Sequence, residues 1–117
     1  MRSCALVLIA LLSCTCSKTS LETTLPNCIR QKINTIKNEA VRNPPAKVYQ
    51  YTYQNQTVYF IPSYCCDVFS ELYDSNCTLV CHPDGGITGR GDGRCTDFFD
   101  LRKDEKLIWE DERDPKS

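Results

Sequence analysis

The sequence has no long apolar run, no block of basic residues and no C-x-x-C pair. The apolar stretch at residues 5–12 has eight residues, whereas a helix needs about 20 to cross a bilayer. The missing basic block and a formal net charge of −1 argue against binding to nucleic acid or to anionic lipid headgroups. The missing C-x-x-C pair argues against a thioredoxin-type redox site and against the usual structural zinc site.

What the N-terminus does contain is the pattern of a secretory signal. Arg2 supplies the positive start, residues 5–12 form the apolar centre, and Ser13 is a small residue directly before Cys14. This arrangement resembles the bacterial lipobox, in which the cysteine is diacylated and becomes the new N-terminus. Several acyl chains anchor a protein stably, because each buried methylene contributes about 0.8 kcal/mol. The alternative is cleavage by ordinary signal peptidase, for instance after Cys16, which would release a soluble protein.

This pattern divides the chain into four parts. Residues 1–13 are the predicted signal, 14–25 a flexible tether rich in Ser and Thr, 26–112 a single domain, and 113–117 a charged, frayed tail. A domain of this size buries about two thirds of its unfolded surface, so its core alone supplies a narrow margin of stability. The predicted location is the cell envelope, with lipid in the inner or outer membrane and the domain on the periplasmic or surface side.

Nine cysteines in 117 residues are typical of an exported domain held by disulfides. Cys4 leaves with the signal, Cys14 is the predicted lipid attachment site, and Cys16 lies in the tether. An even number remains for the domain, which allows three bridges in on the order of 15 pairings. The two adjacent cysteines are expected to point to opposite faces of the chain and to bind different partners. We favour long-range bridges from Cys28 and Cys95 into residues 65–81. The six candidates are Cys28, Cys65, Cys66, Cys77, Cys81 and Cys95.

Two kinds of periodicity predict the fold. Apolar residues recur at helical spacing from Pro26 to Arg42, and the prolines that follow end the helix. The period then changes to two, which predicts two antiparallel hairpins and a last short strand. The predicted strands are 47–53 and 57–61 around a turn at 54–56, 71–73 and 77–81 around a turn at 74–76, and 107–109. The sum is an α+β domain in which an N-terminal helix packs on a small antiparallel sheet, stabilised by disulfides.

Residues 83–93 hold all five glycines of the chain, which predicts an irregular loop with several positive-φ positions. Asp84, Asp92 and Asp97 offer carboxylates that suit calcium, but their spacing is not that of an EF-hand. Arg90-Gly91-Asp92 spells a tripeptide that integrins read, although a turn is the simpler interpretation. We therefore predict no metal site and no cofactor.

His82, the only histidine, follows Cys81 directly. A thiol and an imidazole can act together as nucleophile and base. Neighbours on an extended chain point apart, however, and an oxidising compartment favours a disulfide at Cys81. We expect no catalytic residue and no enzyme activity.

The best surface candidate is a row of tyrosines. Tyr49, Tyr51 and Tyr53 share one face of the first predicted strand, and Tyr59 and Tyr64 follow. Tyrosine rings are large and rigid and carry a polar tip, so such a row can bind a protein or a glycan. The simpler interpretation, which we favour, is cross-strand packing under the helix.

Several short motifs follow one another in a specific order. They are Asn43-Pro44-Pro45-Ala46-Lys47-Val48, Thr57-Val58-Tyr59, Cys65-Cys66-Asp67, Ser70-Glu71-Leu72-Tyr73-Asp74, Pro83-Asp84-Gly85-Gly86 and Gly91-Asp92-Gly93-x-Cys95. On these motifs, roughly residues 26–112 resemble a family of small uncharacterised lipoproteins from Bacteroidota, a domain of unknown function. The resemblance implies an exported domain, acylated at Cys14, with no assigned activity. Cys77 stands where that family's hairpin turn is expected to carry Asn-Gly.

These observations predict a lipid-anchored envelope protein that acts as a non-enzymatic binding or interaction module. Its partners would be the membrane, through the lipid, and an unknown protein or glycan. The alternative is a small periplasmic enzyme, or an enzyme inhibitor that presents the loop 83–94. A third hypothesis is a structural piece that depends on calcium.

Overall fold

The structure, a computed structural model, describes residues 24–65 and 67–115. The predicted signal, most of the tether and four cysteines (Cys4, Cys14, Cys16 and Cys66) lie outside the described residues. The described part of the chain forms two helices and five strands. In chain order they are α1 (Asn27–Lys37), β1 (Lys47–Tyr53), β2 (Gln56–Ile61), β3 (Glu71–Asp74), β4 (Leu79–Cys81), α2 (Phe98–Leu101) and β5 (Lys103–Glu110).

The five strands form one antiparallel sheet in the order β4-β3-β2-β1-β5. The turn between β1 and β2 consists of Gln54 and Asn55 alone, with φ angles of 51° and 60°. Positive φ at both central residues gives a two-residue hairpin the twist of its strands. The predicted turn at 54–56 is one residue too long, because Gln56 already pairs with Tyr53.

The hairpin of β3 and β4 is built around Asp74. Its Oδ1 accepts hydrogen bonds from the backbone N–H groups of Asn76 and Thr78, both at 2.9 Å. Cys77 lies between them with a φ of 65°, a conformation that favours glycine or asparagine. Because these residues form the turn, β4 begins at Leu79 and not at residue 77 as predicted.

Helix α1 is shorter than the predicted helix over residues 26–42. Its apolar stripe buries Ile29, Ile33 and Ile36. Ala40, the next residue of the stripe, is exposed, so no core contact holds a further turn. The helix therefore ends at Lys37, and its last carbonyl groups are bound by the C-terminal segment instead.

Arg113 provides that cap. Its guanidinium donates hydrogen bonds of 2.9–3.0 Å to the carbonyl oxygens of Ile36, Lys37 and Glu39. It also donates to the buried carboxylate of Asp111, with Nη2 at 2.8 Å from Oδ2. The hydrogen bonds from Arg113 hold the pKa of Asp111 below its ordinary value. The N–H groups of the Arg113 guanidinium thus join the end of α1 to the segment that follows β5.

Replacing Arg113 with alanine is expected to lower the free energy of unfolding more than replacing an exposed arginine does, because it leaves the buried carboxylate of Asp111 without its hydrogen-bonded cation. Arg113→Lys should recover only part of this loss, since one ammonium group cannot bind carbonyls and carboxylate as a fork. Urea unfolding measures both. A loss no larger than that of Arg90→Ala, an exposed control, would contradict the assignment.

The sheet buries side chains on both faces. On one face, Leu25, Ile29 and Ile33 pack with residues of β1 and β2 such as Val48 and Tyr59. On the other face, a second cluster forms around α2. Its members are Tyr51, Tyr53, Val58, Phe60, Leu72, Cys81, Cys95 and Phe98. The predicted α+β class is therefore confirmed only in part, because the sheet dominates the domain and its second face is packed without α1.

Two disulfides are present in the described residues, and the prediction of disulfide bonds is confirmed. Cys28–Cys77 joins α1 to the β3–β4 turn, and Cys81–Cys95 closes the glycine-rich loop. Each bridge links Cys28 or Cys95 to the segment 65–81. Cys65 is disulfide-bonded as well.

Candidate functional site

Most of the tyrosine row packs inside the domain. Tyr51 and Tyr53 are each only 3% exposed, and both rings meet Phe98 edge-on, with centroid distances of 5.7 and 5.3 Å. They lie on the opposite face of β1 from Val48, which belongs to the α1 cluster. Packing is therefore the right interpretation, but its predicted place under the helix holds only for Tyr59, which lies in the α1 cluster. Tyr51 and Tyr53 pack against α2 instead.

The hydroxyl groups of these two tyrosines tie the last part of the domain to β1. Tyr51 donates to Glu105 and Tyr53 donates to Asp97, both at 2.6 Å. Burial and the hydrogen bond to Glu105 raise the pKa of Tyr51 to about 12. The hydrogen bond to Asp97 and burial raise the pKa of Tyr53 to about 12 as well.

These raised pKa values predict a loss of stability at high pH. An unfolded tyrosine releases its proton near pH 10, whereas Tyr51 and Tyr53 keep theirs in the folded state up to about pH 12. The unfolded state therefore binds fewer protons, and the free energy of unfolding falls as pH rises from 10 to 12. The double variant Tyr51→Phe/Tyr53→Phe should flatten this fall in urea unfolding. An unchanged slope would contradict the raised pKa values of the two tyrosines.

The three aspartates considered for calcium have separate hydrogen-bond partners, and Asp84 contacts Ser70 through its backbone. Asp92 accepts hydrogen bonds from the backbone N–H groups of His82 and Arg94, both at 3.0 Å. Burial alone would raise the pKa of Asp92, but these hydrogen bonds outweigh it and lower the pKa. Asp97 binds Tyr53. Within residues 24–65 and 67–115, no three His, Cys, Asp or Glu side chains lie together as a group able to hold a metal ion.

The glycine-rich loop folds tightly back on its own first residues. A Cβ atom at Gly91, where φ is 67°, would lie 1.9 Å from the carbonyl oxygen of His82, so only glycine fits. The carboxylate of the Arg-Gly-Asp tripeptide is the same Asp92 that binds the backbone, which ties it to its own loop. The tip of the loop, in contrast, faces solvent, because Ile87 is 91% exposed.

His82 and Cys81 do not form a nucleophilic pair in this structure. Cys81 is bonded to Cys95. The Nδ1 atom of His82 lies 2.8 Å from the carbonyl oxygen of Ser70, and its ring packs against Phe69 at a centroid distance of 4.9 Å. His82 thus helps to position an exposed aromatic residue.

That aromatic residue belongs to a groove between α1 and residues 62–71. The groove consists of two clefts of about 230 and 220 Å³, which share Arg42, Pro62 and Tyr64. The first cleft extends along α1 to Phe69, and the second extends past the start of β1 to Tyr49. We define the α1 groove by its principal residues, which are Lys32, Glu39, Arg42, Tyr64, Phe69 and Glu71.

Two aromatic side chains are exposed in the α1 groove. Tyr64 is 47% exposed, and the guanidinium carbon of Arg42 lies 3.8 Å from its ring centre. Phe69 is 42% exposed, and its backbone forms a β-bridge with Gly85. A Cβ atom at Gly86 would lie 2.5 Å from the Phe69 ring, so the loop also packs closely on it. Each ring is held by a neighbour and still presents surface to solvent.

The charges of the α1 groove come in pairs. Arg42 Nη2 lies 3.1 Å from a carboxylate oxygen of Glu39, and Lys32 Nζ lies 3.0 Å from one of Glu71. The side chain of Arg42 is 14% exposed, and its Nε–H has no hydrogen-bond partner in the described part of the chain. The ion pair and the Tyr64 ring therefore fix the position of Arg42.

Sequence reasoning noticed Tyr64 only as a member of the tyrosine row and missed Phe69 and Arg42. One signal was available, since both aromatic residues lie in the segment 62–70, outside the predicted strands. An aromatic residue in a loop between strands has less of the core around it than one within a strand.

Residues 34–111 match a protein family described as a domain of unknown function (DUF6970). The match covers more than half of the chain and includes every principal residue of the α1 groove except Lys32. The chain belongs to this family. The predicted membership of an uncharacterised family is confirmed to that extent, and DUF6970 brings no activity with it. No curated protein and no solved structure matches the chain. Neither helix of the described residues is long and apolar enough to span a membrane.

Proposed function

We propose that this DUF6970 protein is an exported bacterial lipoprotein, of the type expected in Bacteroidota, whose domain is a non-enzymatic binding module. Lipid on Cys14 would anchor it in the cell envelope, and the α1 groove would bind a component of that envelope. The observation that carries the proposal is the pair of exposed rings, Tyr64 and Phe69, in one concave surface beside paired charges.

Such an arrangement is typical of binding sites. Ligand sites are concave, mostly apolar or aromatic, and contain a few polar groups that orient the ligand. Exposed apolar side chains that occur singly need no explanation, whereas a group rimmed by polar residues marks an interaction site. Val68 joins Tyr64 and Phe69 as a third exposed apolar side chain that lines the first cleft.

The lipid anchor is tested by intact mass. The mature protein from the membrane fraction should begin at Cys14 and carry the added mass of its acyl chains. A Cys14→Ala variant should lose that mass and should not accumulate in the membrane fraction as a mature protein. An unacylated mature wild-type protein would contradict the anchor and leave the groove proposal standing.

The groove is tested with the mature protein in detergent. It should sediment with envelope material that has been stripped of lipid and protein, and Tyr64→Ala/Phe69→Ala should reduce the bound fraction at least several-fold. Ile87→Ala is the matched control, because it removes an exposed apolar side chain elsewhere. Equal binding by all three proteins would contradict a role for the α1 groove.

A second candidate function rests on Ile87. It is 91% exposed on a loop closed by Cys81–Cys95, a setting that suits an enzyme inhibitor. Against this, the backbone N–H of Gly89 binds the carbonyl of Gly86 at 3.1 Å, so the tip is a turn and not an extended segment. Inhibition of an envelope protease that is lost in Ile87→Ala, with the groove variants active, would favour this candidate.

A further inference from the structure

We infer that the ligand of the α1 groove is an uncharged oligosaccharide, with sugar rings that stack on Tyr64 and Phe69. The inference rests on the proposed function of the groove and names its ligand class. It follows from three features of the groove: the support of its rings, the balance of its charges and its shape.

The two rings form supported platforms. Arg42 lies against the face of Tyr64 at 3.8 Å, and His82 lies beside Phe69 at 4.9 Å with an angle of 30° between the ring planes. A ring that is already held loses little conformational freedom when a ligand covers its remaining surface. Flat apolar surfaces of this kind suit the apolar face of a pyranose ring, and the Tyr64 hydroxyl adds a polar tip.

The charges favour a ligand without net charge. Each cation that lines the two clefts is paired with a carboxylate: Arg42 with Glu39, Lys32 with Glu71, and Lys47 with Glu110 at 3.8 Å. A polyanion would meet the two glutamates, and a polycation would meet the arginine and the lysine. Hydroxyl groups both donate and accept, so they can bind the free oxygens of the carboxylates and the free N–H groups of the cations together.

The shape favours a chain over a compact molecule. Each cleft, at about 230 or 220 Å³, is smaller than the roughly 300–1,000 Å³ of a typical small-molecule pocket. The two clefts are neighbours, because Tyr64 and Arg42 line both of them. A linear oligosaccharide can occupy both with successive rings, whereas a compact ligand would fill one only.

The test uses the mature protein in detergent on an array of defined oligosaccharides, with neutral and acidic members of equal length. The best neutral binder is then titrated by calorimetry. We expect Tyr64→Ala and Phe69→Ala each to raise the Kd about tenfold or more, Tyr64→Phe to stay within about threefold, and Ile87→Ala to match wild type. Thermal unfolding of each variant verifies that it is folded.

Binding of acidic members only, or of no array member, would overturn the inference. So would neutral binding that is unaffected by both alanine variants. If no sugar binds and the sedimentation of stripped envelope material still depends on Tyr64 and Phe69, the ligand class is wrong and the groove proposal stands. If that sedimentation does not depend on the two rings, both the sugar ligand and the groove proposal are wrong.

Discussion

Replacing Phe98 with alanine is expected to lower the free energy of unfolding by about 3–5 kcal/mol. Phe98 has no exposed surface, and its ring meets those of Tyr51, Tyr53 and Phe60 at centroid distances of 5.3–5.7 Å. Alanine would leave a cavity at the centre of this cluster and remove its aromatic contacts. The total free energy of unfolding of a small domain is about 5–15 kcal/mol, so this loss would leave the variant only marginally stable.

Phe99 provides the matched control, since it is the same residue one position further along α2. It is 37% exposed and makes an edge contact with Phe60 at 5.7 Å. Phe99→Ala should cost about 1 kcal/mol, because it loses partly exposed contacts and leaves no enclosed cavity. Denaturant unfolding of both variants measures the difference. Equal losses would mean that α2 is not the element that seals this face of the sheet.

Removal of the Cys81–Cys95 bridge is expected to cause the second large loss in the free energy of unfolding. The double variant Cys81→Ala/Cys95→Ala should lose about 3–5 kcal/mol, because a bridge across 14 residues restricts the unfolded chain and both cysteines are buried. The loop between the two cysteines should also become more open, since its hydrogen bonds depend on the fixed ends. Amide hydrogen exchange in residues 82–94 measures this local opening.

A variant that lacks the other bridge separates the loss of global stability from the local opening of the loop. Cys28→Ala/Cys77→Ala opens a bridge across 49 residues, so it should destabilise the whole domain by a similar amount. It lies between α1 and the β3–β4 turn, away from the glycine-rich loop. The rate of amide hydrogen exchange in residues 82–94 should then rise only as much as the loss of global stability requires. Faster local exchange in this variant, and not in the first, would contradict the assigned roles.

The local elements of this fold follow from the sequence because short-range patterns determine them. Alternation of apolar and polar residues predicts β1 and β2 almost to the residue, and the glycines predict the irregular loop at 83–93. The ends of helices and strands are less well predicted where residues distant in sequence contact them. Helix α1 stops at Lys37, where its apolar stripe leaves the core, and Arg113, 76 residues away in sequence, binds the carbonyl group of Lys37.

The α1 groove could not be predicted in the same way. Its residues come from α1, from the segment after α1, from the loop after β2 and from the start of β3, and only the folded sheet brings them together. Tyr51 and Tyr64 are the same amino acid in one tyrosine-rich segment. The strand partners of Tyr51 bury it, whereas Tyr64 lies in a loop beside Arg42 and stays exposed.

The central claim is that the protein binds its ligand in the α1 groove, and chemical-shift mapping tests it most directly. The mature protein in micelles would be titrated with soluble fragments of stripped envelope polymer. We predict that the amide signals that shift most cluster on residues 62–71 and on the C-terminal half of α1. Shifts centred on Ile87 and the loop 83–94, with the groove signals unchanged, would contradict the claim.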